Sequence, residues 1–180
     1  MSFICWCGPF IIRIFLMSEM IYPSEINMTR VDYDNIANQV IAAFNENDNG
    51  VAFVLILKNN LTNCVFNILG GATIGLATFI NVLYNGYVSA DIFSSYYCAG
   101  LDLDIILKTT LPHSSELIGF WLSGAIGFYI AWHIILTMCG GDCFSKRFYM
   151  KIFVLVFITL IIIIYSAYIE AFVTPKIFEI

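Results

Sequence analysis

The sequence predicts an all-α, polytopic membrane helix bundle with three transmembrane helices, an N-terminal apolar segment and interfacial or re-entrant helices. Hydrophobic residues make up 60% of the chain and charged residues 12%, with a mean hydropathy of +0.85. A soluble domain is nearer to about half apolar and a quarter charged. No charged side chain occurs from Asn59 to Ala90 or from Ile152 to Ile169, and a bilayer crossing needs a run of about 20 apolar residues. Within these runs small residues recur at helical spacing, the pattern by which membrane helices come into close contact.

Residues 1 to 17 are apolar but contain Gly8-Pro9 and Arg13, and ~15 residues of helix reach only ~22 Å against a hydrocarbon core of ~30 Å. No basic stretch precedes the apolar one, as a cleaved signal would require. An uncleaved membrane-embedded or interfacial segment is expected. Ser18 to Asn49 is rich in charge and is broken by Pro23. Within it Ile36, Val40, Ile41 and Phe44 oppose Asp32, Asp34, Asn38 and Glu46, which is the pattern of a water-facing amphipathic helix. Asn47-Asp48-Asn49-Gly50 closes this helix with a turn. The chain thus divides into residues 1–50, the apolar segment plus amphipathic helix, and 51–180, the membrane bundle.

In the bundle, span A is expected at about 61–84, after a short helix at 51–57 set off by Lys58-Asn59-Asn60. Residues 87–110 carry Asp91, Asp102, Asp104 and Lys108 among apolar neighbours, which suits two short interfacial or re-entrant helices split at Gly100. Span B is expected at about 112–137. Span C is expected at about 151–173, opened by Lys151 and closed by Thr174-Pro175-Lys176.

Small and polar residues say how the spans meet. In span B, Ser115, Gly119, Ser123, Gly127 and Ala131 fall every fourth residue and form a ridge for helix packing; Asn63, Asn67, Gly71 and Gly75 answer it in span A, and Ser166, Glu170 and Thr174 in span C. Alternating directions for A, B and C place Asn81, Asn85, His113, Glu116 and Glu170 at one membrane face, with Asn60, Asn63 and His133 at the other. The first group reads either as a polar intramembrane cluster able to hold a cation or proton, or as groups that cap helices and pin the bundle. The same alternation puts Arg30, Lys58, Lys146, Arg147 and Lys151 on one side against Lys108 and Lys176, favouring a cytoplasmic 138–150 loop.

Other classes are disfavoured. A net charge of −5 and a pI near 4.8 offer no basic stripe for nucleic acid. The cysteine pairs Cys5-Trp-Cys7 and Cys139-Gly-Gly-Asp-Cys143 lack structural-zinc spacing, so free thiols and no metal are expected. His113-x-x-Glu116 invites a zinc-hydrolase reading, but His133 lies ~30 Å further along a helix, too far to close a metal site. Gly70-Gly71-x-x-x-Gly75 lacks the lysine of a phosphate loop. No cofactor, catalytic residue or enzyme activity is expected.

Four features in order carry a family resemblance. Asn59-Asn60 precedes the glycine-rich span with Gly70, Gly71 and Gly75, and Asn85-Gly86 follows it. Leu111-Pro112-His113-Ser114-Ser115-Glu116 opens the next span, and Ile169 to Pro175 reads Ile-Glu-Ala-Phe-Val-Thr-Pro. Over about residues 51–176 the chain resembles the stage II sporulation protein M family, which usually has glycine where this chain has Ser114 and a fuller N-terminal span. The resemblance implies a multi-pass protein of the cell membrane without accepted catalytic activity. Its namesake works with a pair of membrane-anchored peptidoglycan-degrading proteins during forespore engulfment, and relatives occur beside bacteriocin or export genes. The implied role is a scaffold or accessory subunit of an envelope-remodelling or export complex. Its partners would be the lipid bilayer and either a cell-wall hydrolase assembly or an ATP-driven exporter, with homo-oligomers open. The competing reading is a small ion or solute transporter using the His/Glu/Asn cluster.

Overall fold

The computed structural model describes residues 1–19, 36–98, 100, 102–110, 114–141 and 144–174. Their regular structure is helical: α1 (Ser2–Glu19), α2 (Ile36–Asn45), α3 (Asn49–Leu69), α4 (Leu76–Cys98), α5 (Leu103–Thr110), α6 (Ser114–Met138) and α7 (Lys146–Tyr168). A 3-10 turn, Gly70–Thr73, follows α3, and a wide π turn, Ile169–Val173, follows α7. Among the described residues, three stretches are long and apolar enough to cross a membrane: Asn49–Thr73, Ser114–Met138 and Lys146–Val173. They make this a membrane protein.

The first span differs from the expected 61–84. α3 runs unbroken through Lys58-Asn59-Asn60, and the chain reverses at Gly70–Gly75 instead. The reversal needs Ile74 and Gly75 in the left-handed region, at φ 56° and 81°, and a glycine adopts this at no steric cost. Gly71 lies so close to α6 that a Cβ there would overlap the Gly127 carbonyl. The glycines that read as a packing stripe in mid-span are therefore a hairpin turn. α4 continues to Cys98, so the expected pair of short helices is reduced to α5, set off by a turn at Gly100 with φ 77°.

Helix directions follow from cross-helix neighbours. Asn60 meets Glu116 and Asn67 meets Ser123, so α3 runs parallel to α6. Ser166 meets Ser115 and Gly119 abuts Ile163, so α7 runs antiparallel to α6. Gly75 abuts Ala131 and Gly124 abuts Val82, so α4 returns beside α6 through the same depth. α1 lies along the second half of α4. Trp6 packs at Gly86, where any side chain would strike its carbonyl, and Arg13 forms an ion pair with Asp91 while its guanidinium stands 5.1 Å above the Tyr87 ring.

The amphipathic helix α2 folds back on this frame. Its Val40 and Phe44 pack on Ile56, Ala167 and Ala171, while Ile36 and Ile41 face outward. The expected turn stands at Glu46–Asn47, and the Asp48 side chain caps α3 by accepting from the Val51 N–H at 3.0 Å, satisfying one of the helix's unpaired donors.

The reversal at Gly75 redistributes the charges. Arg13, Lys58 and Lys108 lie toward the end where α6 begins, and Lys146, Arg147 and Lys151 at the end where α7 begins. Arg30 and Lys176 lie outside the described residues. The five-to-two balance that oriented the chain becomes three to three among the described residues, so basic-residue counting no longer separates the two faces. The carboxylates do separate them. Glu46, Asp48, Asp91, Asp102, Asp104, Glu116 and Glu170 all lie toward the α6-start end.

Candidate functional site

The bundle interior is built on one repeating interval. On α3 and the turn that follows it the inward residues are Asn60, Cys64, Asn67 and Gly71, and on α6 they are Glu116, Phe120, Ser123 and Gly127. Both sets follow a 4-3-4 spacing, 11 residues in three turns or about 3.7 per turn, close enough to the ~3.6 of an α-helix to keep one stripe facing the partner helix. Thr159, Ile163 and Ser166 repeat the interval on α7.

Polar side chains on this seam bond across helices. Near the α6-start end the Asn60 amide donates to Glu116 Oε2 at 2.7 Å, and the Ser166 hydroxyl donates to Ser115 Oγ at 2.9 Å. Two turns further in, Asn67 joins three helices. Its Nδ2 donates to Ser123 Oγ of α6 at 2.9 Å, its Oδ1 accepts from Asn81 Nδ2 of α4 at 2.8 Å, and its backbone carbonyl accepts from Thr78 Oγ1 at 2.7 Å. Asn67 is 1% exposed, and Ser123 and Thr78 are fully buried. A buried amide with both ends used is fixed in orientation and fixes its neighbours in turn.

The expected site residues fall into different places. Glu116 is half-buried and held by Asn60, which the alternation had put on the opposite face. That assignment is corrected because the turn at Gly70–Gly75 makes α3 parallel to α6, bringing the two helix starts together. Asn81 lies on the inner network, and Asn85 donates back to the Asn81 carbonyl within α4. Asn63 bonds within its own helix, to the Asn59 carbonyl at 3.3 Å. Glu170 is half-buried in the π turn, beside Ala171, which packs against Ile56. His133 lies toward the far end of α6 from Glu116, 2.9 Å from the Tyr129 carbonyl and against Phe148. His113 lies outside the described residues.

Ser115 and Gly119 meet α7, Ser123 and Gly127 meet α3 and α4, and Gly71 and Gly75 meet α6. Thr78 and Cys64 were missed as site residues, and Asn67 was expected only as part of a packing stripe with Asn63, Gly71 and Gly75. Counting back from Gly71 in fours turns 40° further round the helix at each step and leads through Asn67 to Asn63, whereas the 4-3-4 interval leads through Asn67 and Cys64 to Asn60. Cys5, Cys7, Cys64 and Cys139 carry free thiols.

Residues 2–175 match the family model described as Stage II sporulation protein M. The chain is 30% identical over 128 residues to an uncharacterized protein of Methanocaldococcus jannaschii, covering 69% of this chain and 72% of that relative. No solved structure matches it significantly.

Proposed function

This chain belongs to the stage II sporulation protein M family, and from that premise we propose that it is a non-enzymatic, multi-pass protein of the cell membrane. It acts as scaffold or accessory subunit of an envelope-remodelling or export complex. The observation that carries this reading is the use made of the interior polar groups. Asn60, Asn67, Thr78, Asn81 and Ser166 each donate a bond to a neighbouring helix, Ser123 accepting the one from Asn67, and bonds of this kind hold a bundle in register. Such a rigid frame presents outward surfaces to other membrane helices. One of these is the shallow apolar groove on α3 lined by Leu61, Thr62, Val65, Phe66 and Leu69.

Crosslinking in native membranes, followed by identification of what co-purifies, tests the reading. Recovery of a cell-wall hydrolase assembly or of an ATP-driven exporter supports it and chooses between its two forms. Recovery of this chain alone removes it.

A second reading, a small ion or solute transporter, is favoured by one observation, the Glu116 carboxylate held between α3 and α6. Glu116→Gln separates the two. Glutamine keeps an acceptor and adds a donor, so the scaffold reading expects normal insertion, an unfolding temperature within a few degrees of wild type, and an unchanged co-purification profile. Loss of cation or proton flux in liposomes from an otherwise normal Glu116→Gln protein would establish the transporter instead.

A further inference from the structure

We propose that the end of the bundle where α6 passes into α7 is a binding surface for the headgroup of an anionic membrane phospholipid. Lys146, Arg147 and Lys151 are exposed there within the first two turns of α7. Three features of their placement are unfavourable in isolation. Arg147 and Lys151 stand at i and i+4 on one helix face, where like charges repel. Lys146 and Arg147 occupy the first turn, which carries the positive end of the helix dipole. No described carboxylate lies at this end to offset them, and Asp142 in the connecting turn lies outside the described residues. A bound anion relieves all three at once.

The depth and the rim identify the anion as a lipid headgroup. The uncharged stretch of α7 begins at Ile152, so the three cations sit at the boundary of the hydrocarbon layer. The Lys151 ammonium is held 4.5 Å above the Tyr129 ring. Tyr129 packs with His133 and Phe148, whose ring centroids lie 4.3 and 5.6 Å away, and buried Phe148 carries Phe144 and Tyr149 on its edges. Trp132 and Tyr149 face outward beside them. An aromatic girdle at headgroup level anchors a helix end in the interface, and lysine and arginine at that level attract anionic lipid. The opposite end collects the carboxylates, so the preference belongs to one face.

Native mass spectrometry of the whole chain, released from mixed phosphatidylglycerol and phosphatidylcholine with identical acyl chains, tests this surface. Wild type is expected to retain phosphatidylglycerol over phosphatidylcholine by about tenfold or more. The triple variant Lys146→Gln, Arg147→Gln, Lys151→Gln is expected to fall to a ratio near one, and Lys58→Gln at the other end to keep the wild-type ratio. If the triple variant fails to fold, the wild-type protein decides alone. Its preference should collapse between about 0.05 and 0.5 M salt, where the screening length shortens several-fold. Absence of a preference in wild type, its persistence at high salt, or its survival in a folded triple variant overturns the proposal.

Discussion

Gly127→Ala is expected to unfold or severely loosen the bundle, although it adds a single methyl group to a helix that alanine otherwise favours. That methyl would overlap the Asn67 carbonyl oxygen and press on Thr78 Oγ1 and Cγ2. The first is backbone of a neighbouring span, and the second is buried and already bonded to that same carbonyl, so neither can give way without separating α3, α4 and α6. Overpacking of this kind typically costs about 1–3 kcal/mol, and the upper end is expected here because three helices share the contact. Gly50→Ala is the internal control. A Cβ at Gly50, in the first turn of α3, would meet only Asp48 Oδ1 at 3.4 Å, an ordinary contact, so alanine should be neutral or stabilise by up to about 1 kcal/mol. Thermal unfolding in detergent, followed by size-exclusion chromatography, compares the two. Equal unfolding temperatures for both variants would show that the α3–α6 contact is not as close as described.

Asn67→Ala is expected to produce the next largest loss. It removes the bonds to Ser123 and Asn81, and it empties a side-chain volume at the junction of three helices. Interhelical bonds in membranes average about 0.6 kcal/mol and reach about 1.7. Two of them, together with an Asn81 amide left without its acceptor, suggest a loss of roughly 2–3 kcal/mol. Asn63→Ala, four residues away, removes only an intrahelical bond to Asn59 and should change stability by less than about 0.5 kcal/mol. Unfolding of both variants in mixed micelles, with a double-mutant cycle between Asn67→Ala and Ser123→Ala, isolates the pair. A coupling energy indistinguishable from zero would mean that Asn67 does not tie α3 to α6.

The comparison of Asn63 with Asn67 explains what was legible. Both stand in an apolar span, and both were visible as polar residues that such a span tolerates only for a reason. A strict every-fourth rule gives them equal standing. The 4-3-4 interval, which links Asn60, Cys64, Asn67 and Gly71, distinguishes them, but two helices must be seen together before that interval can be recognised as a seam. Glu116 was legible because a carboxylate opening an apolar span is costly in any arrangement. Its partner Asn60 was not, because pairing them requires the direction of α3.

The sequence by itself determined that this is a helical membrane protein, where α6 begins and ends to within two residues and α7 to within five, and which family the motifs resemble. These are sums of local quantities: transfer free energy along a segment, charge at its ends, and short motifs in order. Only the tertiary structure decided that Gly70–Gly75 is a turn rather than the middle of a span. Hydropathy counts Gly70-Gly71 and Gly75 the same whether the chain passes straight through or reverses. The difference lies in two left-handed residues and in a backbone contact with Gly127, which belongs to a helix more than fifty residues away. From that one reversal follow the parallel course of α3 and α6, the meeting of Asn60 with Glu116, and the gathering of the described carboxylates at one end of the bundle.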